Sequence, residues 1–286
     1  MYSKPITHLN RGAIVIAVDC SMSMQEHTFL NNISMSKIEA VAVVCNYLID
    51  ELLERATRHG EVRNYYDIAV LGYSGDEIQS LLPTTSTNNF VAIDQLSNIA
   101  PSTRTYAFEQ HTDDGRSADA YFNLREWIKP TAHGKTPMFQ ALSVVYNMVE
   151  KWCAKPENRD SFPPIIFHIT DGECNDANDS DLINIAKSIR ETSTNDGNTL
   201  LINIHLSPYN ELPSEIFPAE GRLSNQSPHY TTLYQMSSTM PEQMNTLLST
   251  MAKPSSGASY RALAYNASPC ELLTILNIGS ESINIG

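Results

Sequence analysis

The sequence has few basic residues for its length. Its 286 residues include 19 lysines and arginines against 32 aspartates and glutamates, which gives a formal net charge of −13 at pH 7. Proteins bind nucleic acids and anionic membrane surfaces through a basic surface. We therefore expect no nucleic-acid partner and no membrane partner, and we favour a partner that is cationic or has no strong charge preference.

Long apolar runs are also missing. No stretch approaches the roughly 20 residues that a membrane-spanning helix needs. The first residues, MYSKPIT, lack the basic-then-apolar pattern of a signal peptide. The five cysteines are dispersed and contain no Cys-x-x-Cys pair. These features lead us to expect a cytoplasmic protein of ordinary globular composition.

A buried strand that ends in an acid lies near the start of the chain. From Gly12 to Ser23 the sequence reads GAIVIAVDCSMS, and its β-branched and small apolar residues predict a fully buried strand that ends at Asp19. Open α/β folds keep their ligands at the carboxyl ends of such strands. There, Asp19, Ser21 and Ser23 offer the oxygen donors that Mg²⁺, Mn²⁺ and Ca²⁺ prefer. Taken alone, serines after a strand are more commonly turn formers or helix caps.

Two later stretches add oxygen donors. In the sequence KTPM, Thr136 is a predicted helix N-cap with Pro137 at the first helical position. The sequence IIFHITDGE is a second apolar run, and it ends at Asp171. The chain thus presents three polar loops in the order Asp-x-Ser-x-Ser, Thr, Asp-Gly.

This combination resembles the metal-ion-dependent adhesion site, or MIDAS, of the von Willebrand factor A (VWA) family. The resemblance implies that Ser21, Ser23 and Thr136 are hydroxyl ligands, and that Asp19 and Asp171 are the carboxylates, which in the family often act through water. It also implies a Rossmann-like, doubly wound α/β fold with a mostly parallel central sheet flanked by helices. Met22 departs from the family pattern, because many members have glycine at this position.

The resemblance also implies a function. Three neutral hydroxyls and two acids leave a divalent cation, Mg²⁺ or else Mn²⁺ or Ca²⁺, partly neutralised and with open coordination positions. The implied protein is a metal-dependent binding module, not an enzyme, that accepts an Asp or Glu carboxylate from a partner protein. Within the family the chain most resembles compact bacterial cytoplasmic proteins of the TerY type, which are linked with protein kinases and PP2C-like phosphatases. We therefore expect an adaptor in a bacterial signalling or stress-response system.

Two other interpretations stay open. A strand-terminal Asp with later Thr, Lys and Asp-Gly also resembles haloacid dehalogenase-like phosphohydrolases, in which that Asp is a nucleophile and a second Asp two positions on is the acid/base. Here that second position is Ser21, which transfers protons poorly. The chain also lacks a phosphate-binding Gly-x-x-x-x-Gly-Lys loop and a Gly-x-Ser-x-Gly elbow. The other interpretation is a metal-free VWA scaffold.

The rest of the chain predicts one VWA-like domain over residues 1–286. Within it we expect a loop at 31–36, an irregular insertion near 101–130 with a short helix at 118–127, and a C-terminal helical extension at 208–286. The acid-rich stretch 175–181 lacks the glycine and the distal glutamate of an EF-hand loop, so we expect it to favour the start of a helix. His168 and His205 lie within predicted strands and are interpreted as core or edge residues.

Overall fold

The computed structural model describes residues 2–30, 33–83, 89–111, 117–206, 213–221, 227–244, 248 and 259–281. Helices and strands are numbered in chain order over these residues. The helices are α1 (Lys37–Ala56), α2 (Ile93–Leu96), α3 (Met138–Cys153), α4 (Asp179–Glu191), α5 (Pro228–Met236) and α6 (Pro269–Glu281), with 3-10 turns at Met22–Gln25, Pro156–Asn158 and Glu242–Met244. The strands are β1 (Gly12–Asp19), β2 (His27–Leu30), β3 (Ile33–Ser36), β4 (Thr57–Arg58), β5 (Glu61–Val62), β6 (Tyr66–Ser74), β7 (Glu77–Ser80), β8 (Val91–Ala92), β9 (Ser102–His111), β10 (Ser117–Glu126), β11 (Ile165–Thr170), β12 (Ser193–Thr194), β13 (Gly197–Asn198), β14 (Leu200–Leu206), β15 (Glu215–Ile216) and β16 (Leu263–Ala267).

Eight strands form the central sheet of the described chain, in the order β15-β16-β14-β11-β1-β6-β7, with β8 also paired to β6. The five inner strands from β16 to β6 are parallel, and the short strands at the two sides are antiparallel to their neighbours. From β1 the chain passes to β6 on one side, and later to β11, β14 and β16 on the other. The order therefore reverses beside β1, which places a topological switch point between β1 and β11.

Helices cover both faces of this sheet. Alternate residues of β1 point to opposite sides, as the period of two requires. Ile14, Ile16 and Val18 pack in the core under α1 and α6, whereas Ala13, Val15 and Ala17 pack in the core under α3, α4 and α5. All residues of β1, β6, β11 and β14 are buried, as expected of strands covered on both faces. The predicted doubly wound α/β fold is confirmed.

The sequence Ser36-x-x-Glu39 is typical of a helix start, and helix α1 begins directly after Ser36. The Ser36 hydroxyl accepts a hydrogen bond from the Glu39 backbone N–H (3.3 Å), and the Glu39 carboxylate accepts one from the Ser36 N–H (3.1 Å). This reciprocal pair is a capping box. The predicted loop at 31–36 is wrong where the structure describes it, because Ile33–Ser36 pairs with β2. Met35 explains the difference, since it is buried against residues that lie far away in the sequence.

The predicted irregular insertion is a long hairpin. Strands β9 and β10 pair over ten residues each, and the helix expected at 118–127 lies almost entirely within β10. The Tyr106 and Phe122 rings stack at 5.0 Å between centroids, and Leu124 is buried with Met35. Asn46 of α1 holds the end of the hairpin, because its Oδ1 accepts hydrogen bonds from the backbone N–H groups of residues 127 and 128. Tertiary packing therefore fixes the strand pairing.

The predicted C-terminal helical extension also contributes to the sheet. It contains α5 and α6, and in addition β15 and β16, of which β16 pairs with β14 in the parallel part of the sheet. Within this extension, Glu242–Met244 forms a 3-10 turn, and most of residues 245–258 lie outside the described residues. Among the described helices, none combines the length and the apolarity that crossing a membrane requires.

Candidate metal centre

The three predicted polar loops meet at one edge of the sheet. Because β1 and β11 are parallel neighbours with Val18 opposite Ile169, the residues that follow both strands emerge side by side. The Thr136 loop is bound to the first of these segments. Met22 donates its backbone N–H to the Gly134 carbonyl (3.0 Å), and His133 donates to the Cys20 carbonyl (2.7 Å).

The Thr136 loop is bound to the third loop as well. Thr136 donates its backbone N–H to Oδ1 of Asn175 (2.9 Å), and Asn175 donates its own N–H to the Thr136 carbonyl (3.1 Å). These hydrogen bonds fix the Thr136 loop relative to both the first and the third polar loop. The position of the Thr136 side chain follows from these contacts.

Gly134 has a specific role in this arrangement. Its φ of +68° is a left-handed conformation that favours glycine, and a β-carbon at this position would lie 2.9 Å from the backbone of Gly75. Gly75 in turn donates its N–H to the Lys135 carbonyl (2.9 Å). Because Gly134 and Gly75 have no side chains, the Thr136 loop packs directly on the turn that joins β6 to β7.

The predicted donor side chains come together. The hydroxyls of Ser21 and Ser23 are 3.1 Å apart, and Ser23 donates to Oδ1 of Asp171 (2.7 Å). The hydroxyls of Ser23 and Thr136 both lie within 4 Å of the point where a β-carbon on Gly172 would be. With Asp19 beside Ser21, all five residues predicted from the motifs lie at this edge of the sheet.

Asp19 is the most deeply buried of these residues. It has no solvent exposure, its Oδ1 accepts from the Ser21 backbone N–H (2.8 Å), and its Oδ2 accepts from the Thr170 hydroxyl (2.7 Å). Burial raises the pKa of Asp19 to about 6; the bonds from Ser21 and Thr170 oppose this, and the charge of Asp171 adds to it. The cost of desolvating the carboxylate therefore outweighs its hydrogen bonds.

A lysine that the motifs did not predict completes the cluster. Lys37, the first residue of α1, is 2% exposed and donates to Oδ2 of Asp171 (2.8 Å) and to the Glu26 carboxylate (2.7 Å). A signal for it exists in the sequence. Helix N-termini favour acids and disfavour cations, so a lysine directly after a capping serine is placed unfavourably unless a carboxylate offsets its charge. Thr170 and Glu26 were likewise not predicted.

Thr136 does not have the predicted capping role. Helix α3 begins at Met138 and its N-cap residue is Pro137. The Asp176 carboxylate instead accepts hydrogen bonds from the first-turn N–H groups of Phe139 and Gln140, both at 3.0 Å. Because Asp176 caps α3 from another loop, the Thr136 hydroxyl is not needed for that purpose. The acid-rich stretch thus serves helix starts, as predicted, and Asn178 caps α4.

The neighbouring thiols are poor candidates for metal ligands. Burial raises the pKa of the Cys20 thiol to about 12 and also raises the pKa of Cys174, which donates to Asp176. The donors beside these thiols are hard oxygens, whereas thiolates suit softer metals. His168, predicted as a core residue, is fully buried between the Tyr73 hydroxyl and Asn203 Oδ1, each 2.8 Å away.

The donor set suits a hard divalent cation. It consists of two carboxylates and three hydroxyls, with no imidazole or thiolate among them. Within the described ranges, no three His, Cys, Asp or Glu side chains cluster in a way that would hold a metal ion. A cation at this site would therefore depend on the hydroxyls of Ser21, Ser23 and Thr136 as well as on the two acids.

Neither a protein-family profile nor a curated protein sequence matches this chain. Its structure is similar to that of a von Willebrand factor type A protein from Catenulispora acidiphila, with 16% identity over 69% of this chain and 34% of that chain and a TM-score of 0.42. It is also similar to the vWF domain of the type V pili tip protein Mfa5 from Porphyromonas gingivalis, with 13% identity over 95% of this chain and 77% of that chain and a TM-score of 0.32. This chain thus spans about a third of the Catenulispora protein. The fold class of the chain rests on its own sheet topology.

Proposed function

We propose that this chain is a metal-dependent protein-binding module. In this proposal Asp19, Ser21, Ser23, Thr136 and Asp171 hold Mg²⁺, or Mn²⁺ or Ca²⁺, and the cation accepts an Asp or Glu carboxylate of a partner protein. The observation that carries the proposal is the convergence of five oxygen donors from three separate loops beside the switch point between β1 and β11. Ligand sites of open α/β sheets occur at such points.

The chemistry of the donors supports a binding role. A divalent cation bound here would supply an electrophilic centre for an incoming carboxylate. The protein contributes the rest: Ser23 and Lys37 hold the two oxygens of Asp171, and Ser21 and Thr170 hold those of Asp19. Because hydrogen bonds already orient both carboxylates, binding of a cation would cost little side-chain conformational entropy.

The cellular role is a further part of the proposal. We infer a cytoplasmic adaptor in a bacterial signalling or stress-response system, whose partner belongs to a protein kinase or PP2C-like phosphatase system. This part is supported by the resemblance of the whole chain to TerY-type proteins. The formal net charge of −13 agrees with a partner that is neither a nucleic acid nor a membrane.

Two observations bear on the alternatives. A phosphohydrolase of the kind considered above needs a second Asp two positions after Asp19 as its acid/base, and the residue there is Ser21, which argues against this alternative. The ion pair between Lys37 and Asp171, by contrast, favours a metal-free scaffold as the second candidate. A lysine ammonium is itself a cation that satisfies a buried carboxylate.

Thermal unfolding after chelation, with and without added Mg²⁺ or Mn²⁺, tests the proposal. A ligand that binds only the folded protein raises its stability by about 2.7 kcal/mol at a hundredfold excess over Kd. We expect wild type and Asp160→Ala, which removes an exposed carboxylate on the amino-terminal side of β11, to show this rise. We expect Asp171→Ala to show none. Absence of a rise in wild type at millimolar metal would support the metal-free scaffold instead.

A further inference from the structure

We infer that Lys37 is a built-in counter-cation of the candidate metal centre and sets its affinity for divalent cations. This inference rests on the proposed function, since it concerns the same site. It assigns a role to a residue outside the donor set of the motifs. That role is to bind one oxygen, Oδ2, of the Asp171 carboxylate and to offset its charge.

The position of the Lys37 ammonium supports this role. The side chain is 2% exposed, and it reaches the fully buried carboxylate of Asp171 at 2.8 Å. Oδ1 of the same carboxylate receives the Ser23 hydroxyl, which is one of the proposed ligands. The ammonium is thus separated from a proposed ligand by one carboxylate group.

Charge determines the consequence. The donor set contains two acids, and the lysine, which also pairs with Glu26, offsets part of their negative charge. Charges that lie a few ångströms apart in a buried site are weakly screened, so the ammonium repels a divalent cation appreciably. Wild type should therefore bind divalent cations more weakly than its five donors alone would. A bound cation should also keep more of its positive charge for a partner carboxylate.

Glu26 explains how a lysine is tolerated here. Its carboxylate lies 2.7 Å from the ammonium and is 57% exposed on its side chain. The lysine thus lies between one exposed and one buried carboxylate, and its charge is shared between them. Because Glu26 remains when Lys37 is replaced, the substitution removes a positive charge without changing the donors.

A Mn²⁺ titration of the purified full chain, with free Mn²⁺ followed by electron paramagnetic resonance, tests the inference. We compare wild type with Lys37→Met, which keeps an unbranched buried chain, and with Lys37→Gln, which keeps a hydrogen-bond donor for Asp171. The matched control is Lys187→Met, which removes a lysine charge at an exposed ion pair on α4. We expect the Kd for Mn²⁺ to fall at least about tenfold in both Lys37 variants and to stay unchanged in the control.

The outcomes separate this inference from the proposed function. If Lys37→Met does not fold, Lys37→Gln decides the matter. An equal Kd for Mn²⁺ in wild type and the Lys37 variants would overturn the inference and leave the metal site intact. Weaker binding by the variants would do the same. Binding by the variants alone would support the inference. Absence of binding by every protein would overturn both.

Discussion

The Ser23 hydroxyl donates a 2.7 Å hydrogen bond to Oδ1 of Asp171, a residue 148 positions later in the chain. The contact exists because β1 and β11 are parallel neighbours, so that the segments after them leave the same edge of the sheet. Lys37 donates to the other oxygen of the same carboxylate. Asp171 therefore joins the first loop, the third loop and the start of α1, and the predictions below concern this junction and the elements that support it.

Thr136→Val should weaken metal binding with little effect on the fold. Valine keeps the shape of threonine but has no oxygen, and the bonds between Thr136 and Asn175 involve only the Thr136 backbone. The matched control is Thr199→Val, since Thr199 is buried and its hydroxyl has no hydrogen-bond partner among the described residues. We expect Thr136→Val to reduce the Mg²⁺-dependent rise in melting temperature by more than half and the control to retain it. An unchanged rise in Thr136→Val would remove this residue from the ligand set.

Gly134→Ala should destabilise the protein more than Gly60→Ala. Both glycines have positive φ, so each alanine costs about 1–2 kcal/mol of left-handed strain. No atom lies within 4 Å of a β-carbon placed on Gly60, whereas one on Gly134 would overlap the backbone of Gly75. We therefore expect a further loss of about 1–3 kcal/mol in the free energy of unfolding by urea for Gly134→Ala. Equal losses would mean that the Thr136 loop moves away from Gly75 without cost.

Asp19→Asn should remove a pH-dependent cost of folding. Because burial raises the pKa of Asp19 from 3.8 to about 6, the folded protein holds this proton more tightly than the unfolded chain does. Ionised Asp19 therefore lowers stability as the pH rises from about 4 to about 6, by on the order of 2–3 kcal/mol. In chelator-treated protein, the stability of Asp19→Asn relative to wild type should increase across this window. A constant difference between the two proteins would contradict the prediction.

His168→Gln should reduce the sensitivity of the fold to acid. Burial lowers the pKa of His168 to about 4, so the unfolded chain takes up a proton near pH 6.5 while the folded protein does not. Stability is lost as the pH falls from about 6.5 to about 4, by on the order of 3 kcal/mol. We expect urea unfolding of His168→Gln to show a shallower loss over this range than wild type or the exposed-residue control His8→Gln. Parallel curves for the three proteins would show that the loss arises elsewhere.

The buried strands could be predicted from the sequence because their signal is local. The segments of β1, β6, β11 and β14 are rich in apolar residues. Strand β1 ends in an acid, and β11 ends in a hydroxyl that an acid follows. The capping box at Ser36 is likewise contained in four residues. Such patterns reflect burial on both sides of a sheet or local hydrogen bonds, neither of which needs knowledge of distant residues.

The hairpin β9–β10 could not be predicted in the same way. Its strands are largely exposed where their side chains are described, and they are held by contacts of Tyr106 and Leu124 with α1 and β3. Strand preference in such a segment depends on what its neighbours supply. The start of α3 was misplaced for a related reason, because its cap comes from Asp176 in another loop.

The sequence by itself determined the buried strands and the five oxygen-bearing residues of the three polar loops, and the resemblance of these loops to the VWA family implied the doubly wound fold. Those features follow from runs of apolar residues and from short motifs, whose signals lie within a few positions of the chain. Only the tertiary structure showed that Lys37 contacts Asp171 and that Asp176 caps α3. It also showed that β9 and β10 pair with each other. These depend on pairing residues from distant parts of the chain, and the charge balance of the candidate metal centre is set by one such pair.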